Sequence, residues 1–319
     1  MTANVTLPET GDEQTFDAQG TSSAVARGPW QLAWARLRRD RVAMISLGFI
    51  VFIALVAIFA PVLAHITHHG RDQLFNGPGV LSADDEPSGP NGHFWFGVDP
   101  IGRDVMVRTA YGARISLEVG VVATLLATAL GTVLGMAAGF LGTVVDTIIA
   151  RLIDVVLAVP FVLFAVALAV RFHASLGVVI IVLTFFSWAS VARIVRGQVL
   201  SIREREYIEA ARSLGASSRR IMFVDVLPNV LAQVIVLASL LVPAAIVAEA
   251  TLSFLGVGVQ PPTPSWGNLI AQNSVNQGAW WVYVFPGIFL LLTTLAFNLL
   301  GDGVRDAFDP RGDRTFGRS

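Results

Sequence analysis

An all-α, polytopic membrane protein with six transmembrane helices is predicted by three observations. Charged residues make up 14% of the 319-residue chain and hydrophobic ones 54%, whereas soluble domains carry roughly 25% charge. Five runs without a charged side chain, and a sixth with charges only near its start, each approach the ~20 residues that take a helix across ~30 Å of hydrocarbon. All 22 basic residues are arginine, and they gather between these runs on alternate sides. Barrel strands would instead alternate apolar and polar residues over about ten positions.

Residues 1–28 are rich in Thr, Ser and acids, with Glu9, Asp12, Glu13 and Asp17. They read as a disordered cytoplasmic tail, not a signal peptide, because the first apolar run starts only at Val42. Residues 29–64 combine a basic segment with the first span, Val42–Ala64. Arg36, Arg38, Arg39 and Arg41 precede that span and place the N-terminus in the cytoplasm. Residues 65–114 form an extracytoplasmic loop rich in Gly, Pro and Asp, ending in a short interfacial helix over Asp104–Gly112. Asp99, Arg103 and Asp104 suit the start of that helix, where acids are favourable. His65, His68 and His69 have no zinc-site spacing and read as surface loop.

Residues 115–302 hold five further spans: Val119–Leu141, Thr147–Val170, Ala174–Ala192, Val226–Ala248 and Ala279–Gly301. A cytoplasmic tail follows at 303–319. Six crossings leave 17 of the 22 arginines inside, and omitting any crossing would move the later clusters out. Trp266, Trp280, Trp281 and Tyr283 read as an outer aromatic belt, and the Pro-rich Gln260–Trp266 as outer loop. Gly131, Gly135 and Gly139 form a four-residue ladder suited to close helix packing, with pore lining as the alternative. Arg151 and Asp154 are placed to pair at i, i+3. Glu118 and Glu249, at outer helix ends, are candidates for a vestibule or gate, or else interfacial residues reaching water.

The polar segment Arg193–Asn229 interrupts the apolar pattern with seven Arg and four acids. Tyr207, Ala211 and Leu214 recur at i, i+4, i+7 as one apolar stripe, with Glu209 and Arg212 on another face. Gly215 then stops a helix, Ser217 caps a second one bearing Ile221, Phe223 and Val224, and Pro228 ends it. Small Ala210 and Ala211 beside Gly215 suit insertion into a groove on a partner. An amphipathic loop resting on anionic lipid is the other reading. The flanking spans exclude a DNA-binding helix–turn–helix, so no nucleic-acid partner is expected.

The chain contains neither Cys nor Lys. Disulfides and thiolate chemistry are therefore excluded, as is a Walker A loop, which needs a lysine for the β and γ phosphates. No Ser/His/Asp or metal-ligand constellation stands at usable spacing. The chain is expected to be no enzyme and to bind no cofactor or metal.

Glu209-Ala210-Ala211, with Gly215 six residues after the Glu and Leu227-Pro228 beyond it, resembles the EAA loop of permease subunits in binding-protein-dependent ABC importers. Phe96-Gly97-Val98-Asp99-Pro100-Ile101-Gly102-Arg103-Asp104 is similar to the C-type subunit of the oligopeptide/dipeptide and nickel group, as are Leu252–Pro262 and Gly301–Asp306. The resemblance implies a MetI-like ABC importer permease fold with cytoplasmic coupling helices in the loop 196–229. Tyr207, Glu209, Ala210, Ala211, Leu214, Gly215 and Pro228 would carry the coupling to an ATPase. It further implies half of a translocation pore in the inner membrane, taking di- or oligopeptides from an external substrate-binding protein. A second, B-type permease in a heterodimer and two cytoplasmic ATP-binding subunits would complete the importer. The rival reading is a secondary transporter or channel working without an ATPase; against it, no span carries a central ionisable residue and no inverted repeat is visible.

Overall fold

The computed structural model describes residues 29–77, 80–81, 86–272 and 278–309. The tail expected at 1–28 and the part of the C-terminal tail from 310 onward lie outside the described residues. In chain order the helices are α1 (Pro29–Leu37), α2 (Arg41–Ile58), α3 (Ala60–Thr67), α4 (Val105–Phe140), α5 (Thr143–Ala158), α6 (Phe161–Phe172), α7 (Leu176–Arg203), α8 (Glu206–Ser213), α9 (Ser218–Arg220), α10 (Leu227–Phe254), α11 (Trp266–Gln272) and α12 (Trp281–Phe308). A π-helical stretch, Ile221–Val226, joins α9 to α10.

Five helical stretches are long and apolar enough to cross a membrane: α2, α4, α7, α12 and the continuous run from Ser218 to Phe254. The helices α5 and α6 reach spanning length only as a pair, bent by 84° at the break between them, and the count is six if that pair is one broken crossing. Thr147–Val170 is therefore not one straight helix. Pro160 supplies no N–H, and the residue before a proline is driven out of the helical region; Val159 accordingly sits at φ −81°, ψ 127°. In the first apolar run Pro61 falls in the first turn of α3, after a break at Phe59.

The separate interfacial helix expected over Asp104–Gly112 does not exist. Asp104 caps α4 itself, its carboxylate accepting from the Val107 N–H at 3.0 Å. With no proline beyond it, the helix runs on for 36 residues. The boundary drawn between 114 and 115 therefore falls inside α4. Those drawn at 64/65 and 302/303 likewise fall inside α3 and α12.

α4 is the central post, packed by α7, α10 and α2. Its seam with α7 is the most extensive, and the glycine ladder makes it. A Cβ on Gly131 would stand 2.6 Å from Val191 Cβ, on Gly135 2.7 Å from the Ala192 carbonyl oxygen, and on Gly139 2.7 Å from Val199 Cβ. These glycines face a neighbouring helix of the same chain, not a passage. Backbone approach of this kind is how helices associate where lipid provides no hydrophobic drive.

Both ends of the described chain meet at the end of the bundle that carries α8. Arg36 donates to the Asp309 carbonyl at 3.0 Å, and Trp30 stands edge-on to Phe308 with ring centroids 5.3 Å apart. At the opposite end the 68–104 loop folds over the start of α4, α11 and the start of α12. There the expected aromatic belt is largely an internal scaffold. Trp266 is fully buried and donates to the Thr109 carbonyl at 3.1 Å; Trp281 donates to the Val98 carbonyl at 2.9 Å. Trp280 and Tyr283 remain about half exposed. Burying an indole leaves its N–H needing an acceptor, which the loop carbonyls provide.

Charges order the same loop. Arg103 bonds Asp99 at 2.6 Å and Gln272 at 2.8 Å, while the fully buried Arg108 reaches Asp72 at 3.1 Å. His69 departs from the surface-loop expectation: it is buried, stacked on Phe94 and bonded to Asp104 at 2.5 Å, whereas His65 and His68 stay exposed. Its acidic partner lies 35 residues away, so local spacing gave no hint.

Candidate functional site

α7 extends to Arg203, so the loop drawn at 196–229 begins within it and turns only at Glu204–Arg205. Arg203 reaches the Gly139 carbonyl at 3.3 Å and so satisfies one of the C-terminal carbonyls that α4 leaves without an intrahelical partner. α8 follows at once. Its end has both bonds of a Schellman cap: the Gly215 N–H donates to the Arg212 carbonyl at 2.9 Å and the Ala216 N–H to the Ala211 carbonyl at 3.0 Å. Gly215 adopts φ +82°, the left-handed conformation that only glycine enters without strain. Ser217 then accepts from the Arg220 N–H at 3.4 Å.

Pro228 opens α10 and does not end a helix. The π stretch before it bonds i to i−5, with the Leu227 N–H on the Met222 carbonyl. A widened turn accommodates a proline that would otherwise clash with the carbonyl four residues back.

The inward face of α8 is Ile208, fully buried, with Ala211 half-buried beside it. They join Ala216, Ile221, Val226 and Val230 in a cluster with Phe140, Val199 and Ile202. α8 is thus clamped between the ends of α4, α7 and α10. Arg212 lies over the Phe140 ring at 5.2 Å instead of pairing with Glu209. The stripe Tyr207–Ala211–Leu214 is not the buried one: Leu214 is 88% exposed and Tyr207 42%. Two apolar stripes share Ala211 and differ by one residue, about 100° on a helix, and the core takes the branched Ile208. The sequence signal that could have found Ile208 is its spacing of three from Ala211, amid charged neighbours.

The outward face consists of Tyr207, Glu209, Ala210 and Leu214, with Phe223 and Val224, each 59% exposed, on the adjoining π stretch. Arg219 and Arg220 are exposed as well. Beside it a cleft of about 510 Å³ separates the end of α7 from the start of α10, lined among others by Gln198, Ser201, Arg205 and Asn229.

Ion pairs brace α5 against α7 at this end. Arg196 donates to the two carboxylate oxygens of Asp146 from Nε and Nη2, and Arg193 bonds Asp154 at 2.8 Å. The Arg151–Asp154 pair expected from spacing is a longer contact of 3.7 Å. Arg193, 39 residues from Asp154, holds the carboxylate instead.

At the opposite end the two glutamates part company. Glu249 is fully buried and neither lines an opening nor reaches water; it accepts from Ser116 at 2.9 Å and Ser253 at 2.7 Å, clamping α10 to α4. A buried carboxyl requires such partners. Glu118 is exposed on α4 beside a small cleft with Arg114 and Tyr111.

The family model described as "Binding-protein-dependent transport system inner membrane component" matches residues 131–314, and that of the "N-terminal TM domain of oligopeptide transport permease C" matches residues 28–78. The dipeptide transport system permease protein DppC of Bacillus subtilis is 42% identical over 283 residues, covering 88% of this chain and 85% of that one. The oligopeptide transport system permease protein OppC of Escherichia coli is 44% identical over 287 residues, covering 89% and 92%. The glutathione transport system permease protein GsiD of Salmonella typhimurium is 42% identical over 286 residues, covering 89% and 91%. A chain from inward-facing structures of the MetNI methionine ABC transporter matches the fold with a TM-score of 0.54 at 19% identity, over 63% of this chain and 97% of that one. By the family model, and by identity above 40% along nearly nine-tenths of its length, this chain belongs to the inner-membrane permease components of binding-protein-dependent transport systems.

Proposed function

We propose that this chain is the C-type permease subunit of an ATP-driven importer, forming half of a translocation path for di- or oligopeptides delivered by an external substrate-binding protein. A second, B-type permease supplies the other half. Two ATP-binding subunits dock on the α8 end, which faces the cytoplasm together with both termini; the chain itself hydrolyses nothing.

One observation carries this reading: α8 is a short helix that buries Ile208 completely and Ala211 in part on one side, exposes Tyr207 and Leu214 on the other, and is held in one cluster with the ends of α4, α7 and α10. Exposed Leu214, Tyr207 and Phe223 offer a partner contact area, and Glu209 and Ala210 lie among them. A helix clamped in this way transmits a rigid-body displacement to three spans, whereas a free loop would absorb it. Peptides as cargo rest on the names of the relatives.

Purification of the tagged chain from its native membrane tests the proposal. Two ATP-binding subunits and a distinct permease are expected to co-purify. Gly215→Val and Glu209→Lys are each expected to leave insertion intact while peptide uptake falls more than tenfold relative to ATP hydrolysis. Uptake by the chain alone in liposomes, without any ATPase, would establish a secondary transporter instead.

A further inference from the structure

The cleft beside Glu118 is a built feature that the coupling role does not use. About 220 Å³ in volume, it lies at the end of the bundle away from α8 and is lined by Arg71, Tyr111, Arg114, Ile115, Glu118 and Pro264. Four of the six, Tyr111, Arg114, Ile115 and Glu118, come from one face of the second to fourth turns of α4, at spacings of three and four. Arg71 is bound to Asp72 at 2.7 Å and lies over the Tyr111 ring at 5.7 Å. Its charge is therefore partly compensated and its place fixed.

Arg114 and Glu118 differ from it. Both are exposed, and neither has an ion-pair partner among the described residues. They stand one helical turn apart, a spacing at which opposite charges can pair but here do not. The result is a cleft that offers a free cation and a free anion side by side, with an aromatic ring and a proline as its apolar walls.

The geometry points to a transit subsite for the two charged termini of a zwitterionic peptide, Arg114 receiving the carboxylate and Glu118 the ammonium. Residues at i and i+4 have Cβ atoms about 6 Å apart. An extended chain advances about 3.5 Å per residue, so the termini of a dipeptide lie about 7 Å apart. Arginine presents a planar fork to a carboxylate, and a carboxylate accepts from an ammonium, so each end meets its complement. Tyr111, Ile115 and Pro264 leave room for small side chains without selecting among them. A blocked peptide, N-acetylated and C-amidated, has the same backbone but neither charge and would not be held.

This inference rests on the peptide reading above, so the experiment separates the two. The full importer complex, purified without its binding protein, is probed by saturation-transfer NMR with alanyl-alanine and with N-acetyl-alanyl-alanine amide. The wild-type complex is expected to transfer signal to alanyl-alanine and not to the blocked peptide. Arg114→Gln and Glu118→Gln should each weaken that transfer about fivefold, the scale of one exposed charge contact, with basal ATP hydrolysis unchanged. Glycyl-alanine amide, which keeps only the ammonium, should remain sensitive to Glu118→Gln and become insensitive to Arg114→Gln. In parallel, cells carrying the wild-type system are assayed for uptake of labelled dipeptide. Peptide uptake together with equal transfer in wild type and both variants, or transfer to the blocked peptide, overturns the subsite alone. No peptide uptake by the wild type overturns the peptide reading and the subsite with it.

Discussion

The α4–α7 seam and the turn after α8 both depend on glycine, for opposite reasons. At Gly135 the backbone conformation is ordinary and space is missing: a Cβ would stand 2.7 Å from a carbonyl oxygen of the facing helix. At Gly215 space is free, with no atom beyond its own chain neighbours within 4 Å of the added carbon, and the backbone at φ +82° is what excludes other residues. The first glycine serves the packing of the bundle. The second sets the turn by which the chain doubles back from α8 toward α10. One region is interior and complementary to itself; the other is fixed on its inner side and leaves its outer side exposed.

Substitutions can break that contrast, and the largest effect is expected in the seam. Gly135→Leu should cost ~3 kcal/mol or more through forced separation of α4 and α7, so little properly folded protein should elute as a single species in detergent size-exclusion chromatography. A normal elution profile would mean the seam tolerates bulk and the contrast fails. Gly215→Val should be milder for the fold, at ~1–2 kcal/mol for a side chain in the left-handed region. It should nonetheless lower uptake in reconstituted complexes more than tenfold, because the turn after α8 is redirected and the outer face of α8 shifts with it.

Ile208→Ala sharpens the contrast from inside. Removing a fully buried branched side chain should destabilise the clamp by ~2–4 kcal/mol, read as a lowered thermal midpoint together with partial uncoupling. Leu214→Asp addresses the opposite face of the same helix. Since Leu214 is 88% exposed, stability should change by less than ~0.5 kcal/mol, while ATPase co-purification weakens about fivefold. If Leu214→Asp shifted the thermal midpoint and Ile208→Ala did not, the inward and outward faces would be interchanged. Smallest of all, removing residues 1–26 should leave assembly and uptake unchanged, measured by the same co-purification.

Much of the bundle was legible in the chain, because membrane spanning imposes length and apolarity on contiguous residues. The five runs without a charge are helical, the first of them broken at Phe59 into α2 and α3. The ladder Gly131, Gly135, Gly139 announced a close approach, since four-residue spacing places three small residues on one line. The cap at Gly215 and Ser217 was also readable, these being local backbone devices. The faces of α8 were less legible: the spacing Tyr207, Ala211, Leu214 points to one apolar stripe, whereas the buried side chain is Ile208 and Leu214 is exposed. Amphipathic periodicity identifies a helix more securely than the side it buries when two stripes share a residue such as Ala211.

Distances along the chain explain the remaining differences. His69 meets Asp104 across 35 residues, Arg193 meets Asp154 across 39, and Ser116 meets Glu249 across 133. Each pairing is decided by which helices lie side by side. By itself the sequence determined a helical membrane protein, the position of its polar interruption and the glycines that shape two of its turns and seams, because those follow from local spacing and from the free energy of placing charge in hydrocarbon. Only the tertiary structure decided that Glu249 is an internal clamp while Glu118 stays free, that the tryptophans at 266 and 281 are interior, and that α8 turns Ile208 inward. Burial and partnership belong to surfaces that come together only when distant segments pack.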